Sequence, residues 1–185
     1  MAEKEKHKLD VVAIRMIKEQ PIYSDIPITA PIDAVRLVGN KLCEYDRECT
    51  AVICLKANGI PICCSICSIG SLDASFVHPR EMLKAAILAN ASRIIMVHNH
   101  PSGSLVPSKD DTRVTDRMIQ ICDLVGIPLV DHIIVSGKNE EYFSFREKAV
   151  LKMPNVVYET DYRDIHFPKL SVAESGKENK SLKHH

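Results

Sequence analysis

The sequence has no surplus of charge of either sign: among 185 residues, 24 Lys and Arg offset 24 Asp and Glu. Its isoelectric point is near 7.1. No global field therefore draws the chain to nucleic acid or an anionic membrane, although a local basic patch is compatible with this balance. There is also no apolar run of about 20 residues, the length a membrane-spanning helix requires. Residues 1–8 lack the apolar stretch that forms the centre of a signal peptide. The expected location is the cytoplasm. The seven cysteines make an odd number in a chain without an export signal, so reduced thiols are expected rather than a disulfide framework.

Several catalytic signatures are missing as well. Cys64-Ser65-Ile66-Cys67 has the spacing of a zinc half-site, but no matching second half follows. The segment reads as a strand, so it also lacks the helix N-terminus that depresses a thiol pKa in redox motifs. His-Glu-x-x-His is absent, which sets aside the thermolysin-type site. Zinc deaminases need His-x-Glu followed by Pro-Cys-x-x-Cys, and here the only Cys-x-x-Cys precedes the histidines. The adjacent letters His98-Asn99-His100 do not make an HNH nuclease either, whose three residues are spread over a ββα unit.

What the chain does have is His98-Asn99-His100-Pro101-Ser102-Gly103, continuing to Ser108 and Asp111. The preceding residues 93–97 are apolar and β-branched, as in a buried strand, and alternation turns His98 and His100 to one side. Pro101-Ser102-Gly103 ends the strand, and residues 107–111 open a helix continuing through Val114, Met118 and Cys122. Asp111 can then fold back over both imidazoles. Two His and one Asp suit Zn2+, which accepts imidazole nitrogen and carboxylate oxygen and keeps a fourth position for water in catalytic sites. Such a water becomes a nucleophile near neutral pH, given a carboxylate to take its proton. Ser108 and Asp111 also fit the spacing of a helix capping box, a plainer account of the same pair.

The remaining pattern is mixed. Residues 32–42 have helical spacing at Ile32, Val35, Val38 and Leu42. Residues 50–55 and 60–69 are strand-like, joined through Asn58-Gly59, a hairpin signal. A helix is expected from Pro79, then the His98 strand, a helix at about 109–124, and strands near 129–135 and 142–145. The composition suggests an N-terminal arm or edge strand over 1–30, a core domain over 31–153 and a polar extension over 154–185. Ser171 to His185 has too few apolar residues to pack, so His184 and His185 are assigned to a disordered tail rather than to the site. Alternating helices and strands argue for an α/β or α+β sandwich.

The run His-x-His, seven residues, Ser, two residues, Asp resembles the motif of the JAMM or MPN metalloproteases. With Val77-His78-Pro79-Arg80-Glu81 upstream and Asp131-His132-Ile133-Ile134 downstream, residues from about Pro31 to Arg146 resemble the bacterial RadC-like branch. That resemblance implies a cytidine-deaminase-like JAB/MPN fold, a mixed sheet flanked by helices. It implies Zn2+ held by His98, His100 and Asp111, with Glu48 as the base and Ser108 supporting the developing oxyanion. Glu44, four residues earlier, is the alternative to Glu48. Asn99 stands where eukaryotic members usually carry Ser or Thr. Of Asp131 and His132, neighbours on a strand, only one can face the site, in a supporting role. The expected partner is a peptide or isopeptide substrate. The competing reading is a non-catalytic scaffold acting with DNA-repair or mobile-element proteins.

Overall fold

The computed structural model describes residues 16–17, 24, 26–70, 78–136, 140–149 and 151. The chain divides into units 1–155 and 156–185, and every described residue belongs to the first. Most of the proposed arm and all of the proposed tail lie outside the described residues.

Five strands form one sheet in the order β2-β1-β3-β4-β5. They are β1 (Cys49–Leu55), β2 (Pro61–Ile69), β3 (Arg93–Asn99), β4 (Leu129–Val135) and β5 (Tyr142–Ser144). The β3–β4 pair is parallel, whereas β1–β2, β1–β3 and β4–β5 are antiparallel. The expected mixed sheet with flanking helices is therefore present. β1 is buried along its whole length, as expected of a strand covered on both faces.

Alternation along the strands feeds two cores. Ala51, Ile53, Ile95, Val97, Ile133 and Val135 pack under the first helical segment. That segment joins α1 (Pro31–Ala34), a π-wound stretch Val35–Gly39, and α2 (Asn40–Leu42). The expected Val35, Val38 and Leu42 stripe does face the sheet, but the helix is wider in the middle than a regular α-helix. Gly39 lies there against β4: a Cβ would stand 3.2 Å from Val135 Cγ1.

The opposite core takes Val52, Cys54, Ile94, Met96 and Leu129 against α3 (Pro79–Leu88) and α4 (Lys109–Leu124). In α4 the buried residues are Thr115, Met118, Ile119 and Cys122, the one-sided spacing of an amphipathic helix. Because residues 50, 52 and 54 of β1 and 94, 96 and 98 of β3 share the α4 side, that side also receives the histidines.

The β1–β2 hairpin departs in detail from the simplest reading of Asn-Gly. Gly59 alone adopts a left-handed conformation (φ +83°), and its amide donates to the Lys56 carbonyl at 3.0 Å. This is a turn followed by a left-handed glycine rather than a two-residue turn with both residues left-handed. The thiols of Cys64 and Cys67 pack on opposite faces of the sheet, Cys64 with the first core and Cys67 with the second. They cannot share a metal ion. None of the seven cysteines is joined in a disulfide, and burial pushes Cys64 and Cys122 up to about 12, which leaves them unreactive.

Candidate metal centre

β3 ends at the rim of the sheet, and the parallel ladder to β4 continues one step beyond it: the His100 amide donates to the Val135 carbonyl at 2.9 Å. Alternation is thereby preserved through His98 and His100. The chain then turns, with the Gly103 amide donating to the His100 carbonyl at 3.0 Å and Gly103 at φ +80°. Pro107 and Ser108 lead into α4, and Asp111 lies in its first turn.

The three side chains meet. Nε2 of His98 and Nε2 of His100 are 2.9 Å apart. Asp111 places Oδ1 at 3.2 Å from the first and Oδ2 at 3.4 Å from the second. One ligand atom from each of the three lies within 4.8 Å of the others. His98 and His100 are buried and Asp111 is half-buried.

The electrostatics suit a cation. Burial alone would raise Asp111, but hydrogen bonding to His100 and His98 holds it well below the usual carboxylate range. His100 is raised, mainly through its bond to Asp111 and against the effect of burial. Its Nδ1 lies 2.7 Å from the Ser104 carbonyl, which can only accept, so Nδ1 carries the proton and Nε2 presents a lone pair in the neutral ring. Two nitrogens and a carboxylate turned to one point match the donor set zinc accepts.

Ser108 and Asp111 form the capping box as well. Ser108 Oγ accepts from the Asp111 amide at 3.1 Å, and Asp111 Oδ2 accepts from the Ser108 amide at 2.7 Å. The two readings of this pair are therefore compatible. The cap holds the carboxylate over the histidines and leaves the exposed Ser108 hydroxyl proton free to donate.

Glu48 precedes β1. Thr50, two residues on, pairs with His98 in the antiparallel register. Glu48 is half-buried there and adds to the raised state of His100, whereas Glu44 is exposed on the turn after α2. Asn99, between the two histidines, turns to the other side and grips the segment around Glu48. Its Oδ1 accepts from the Cys49 amide at 2.7 Å and its Nδ2 donates to the Arg47 carbonyl at 3.1 Å. Sequence reasoning gave Asn99 no role, although alternation already turned it to the face opposite the histidines.

The downstream pair divides its duties. Asp131 turns away from the site, accepting from Ser144 Oγ at 2.6 Å, the His132 amide at 2.8 Å and the Arg146 amide at 3.0 Å. Burial raises it, against those bonds. His132 faces the site, with Nε2 at 2.8 Å from His98 Nδ1 and Nδ1 at 2.5 Å from Thr115 Oγ1. Its own burial keeps it neutral. Thr115 was not singled out from sequence; its position four residues after Asp111, on the same helix face, is the signal that identifies it.

A profile described as the RadC-like JAB domain matches residues 28–150, an interval that contains the sheet, the helices and every side chain of this site. The chain belongs to the RadC-like JAB domain family. A UPF0758 protein of Thermotoga maritima is 46% identical over 106 residues, 57% of this chain and 47% of that protein. A UPF0758 protein of Clostridium acetobutylicum is 38% identical over 137 residues, 74% of this chain and 59% of that relative. The chain thus spans about half the length of these two relatives. Among the described residues of this RadC-like protein, no helix is long and apolar enough to cross a membrane.

Proposed function

We propose that this RadC-like domain is a zinc-dependent hydrolase of peptide or isopeptide bonds. The observation that supports it most directly is the convergence of His98, His100 and Asp111 on one point at the sheet rim. Zinc bound there would supply a Lewis acid that lowers the pKa of water to about 7 and polarises a carbonyl.

The chain's own residues supply the rest. Asp111 contributes fixed negative charge, held in place by the first turn of α4. Glu48, whose charge reaches His100, takes the proton of the attacking water and delivers it to the leaving amine. Its segment is held by Asn99 on both sides, so the carboxylate needs little reorganisation. Ser108 donates its hydroxyl to the developing oxyanion, a contribution of a few kcal/mol where comparable donors have been removed elsewhere. A scaffold acting with DNA-processing proteins needs none of these groups in register.

Glu48→Gln tests the reading. It preserves size but removes the proton acceptor, so zinc stays bound while cleavage of a peptide or isopeptide library falls by about 10²–10⁴-fold. Glu44→Gln is the control and stays near wild type. A zinc-loaded wild type inert on every peptide and isopeptide would favour the scaffold reading instead.

A further inference from the structure

We infer that His132 and Thr115 are positioning residues that set the tautomer of His98, and with it the aim of the lone pair His98 offers at the metal centre. The inference builds on the metal-site reading above and takes its direction from one group that can only accept.

That group is the backbone carbonyl of Asp111. Thr115 Oγ1 lies 2.6 Å from it, and because a carbonyl has no proton, the threonine's single hydroxyl proton is committed there. Thr115 Oγ1 therefore accepts from its other neighbour, His132 Nδ1, at 2.5 Å. A neutral imidazole carries one proton. With that proton on Nδ1, His132 Nε2 is bare and accepts from His98 Nδ1 at 2.8 Å. His98 in turn is left with a bare Nε2, the atom that faces His100 and Asp111.

Reversing the order would set the lone pairs of Thr115 and of the Asp111 carbonyl against each other at 2.6 Å. Water has little access to substitute for any partner: His98, Thr115 and His132 are 4%, 3% and 1% exposed. Phe145 fixes the His132 ring from its other side, stacked at 4.9 Å and 4°.

The arrangement differs from the usual support of a metal-bound histidine, in which the second ring nitrogen donates directly to a carboxylate, carbonyl or water. His100 has that direct form, through Ser104. His98 reaches its carbonyl through two side chains, and the carbonyl belongs to Asp111, whose carboxylate approaches His98 Nε2 at 3.2 Å. The hydrogen bonds run as a chain from His98 on β3 through His132 on β4 to the Asp111 carbonyl on α4, and so tie the elements that carry the two ligands to each other.

Nitrogen-15 NMR of the histidine rings in metal-free wild-type protein tests this without any substrate. The expected spectrum shows the proton on Nδ1 of both His98 and His132; a proton on Nε2 of either ring overturns the inference. Thr115→Val removes the hydroxyl and little volume, freeing His132 to carry its proton on Nε2. His98 should then shift toward the Nε2-protonated form, and zinc affinity should fall by roughly 10–100-fold. Thr115→Ser, which keeps the hydroxyl, should restore both readouts. A folded Thr115→Val protein with wild-type tautomers and wild-type zinc affinity contradicts the proposal. If wild type binds no zinc, the metal-site reading fails, and the wild-type ring spectrum still decides the tautomer claim.

Discussion

Asn99 separates two tasks that the sequence places side by side. The histidines on either side of it turn toward α4, while its own amide holds Arg47 and Cys49. Asn99→Ala leaves a buried amide and a carbonyl without these partners, at about 1–3 kcal/mol for an unsatisfied buried group. Differential scanning calorimetry should show a lower Tm, by roughly 2–4 °C per kcal/mol for a chain of this size. The same variant should keep its zinc and lose turnover, because it loosens Glu48 and not the ligands. Loss of zinc, or zinc kept with wild-type turnover, would contradict the assigned role. A second residue-scale expectation concerns pH. His100 is raised above the usual histidine value of about 6.5, chiefly by Asp111, and its proton must leave before a metal binds. Zinc affinity should therefore be steady above that raised value and fall as pH drops through it, by about tenfold per pH unit for each proton displaced. Chelator-competition titrations between about pH 5.5 and 8 measure this; a flat profile contradicts it.

At the scale of elements, the first turn of α4 carries both the cap and the ligand. Ser108→Ala removes the acceptor of the Asp111 amide, at a cost of about 1 kcal/mol. Thermal unfolding should show that loss, and zinc affinity should weaken as the turn that aims Asp111 loosens; Ser108→Thr should retain both properties. Unchanged stability and affinity in Ser108→Ala would separate the cap from the site. The elements themselves were legible because their signals are local: the strand before His98, the helix opening at Ser108, and the spacing of Val35, Val38 and Leu42. Two details were not. The π-wound stretch has no local marker in the sequence, and its Gly39 packs against Val135, about 100 residues away. The hairpin's left-handed residue is Gly59 and not Asn58 as well, a choice that depends on the strand register on either side.

For the whole molecule, the meeting of His98, His100 and Asp111 was legible because strand, turn and helix follow one another directly. His132 and Thr115 required the parallel register of β4 beside β3 and the rotation of α4, which no local pattern encodes. Glu48 was placed by resemblance; the structure shows it half-buried ahead of β1 and adding to the raised state of His100. The chain spans about half of its Thermotoga and Clostridium relatives. Native mass spectrometry of that chain, dialysed against a slight excess of zinc, tests the central claim most directly. The account predicts one zinc per wild-type chain and none in the His98→Ala, Asp111→Ala double variant. A double variant that keeps its zinc, or a folded wild type that takes up none, would contradict it.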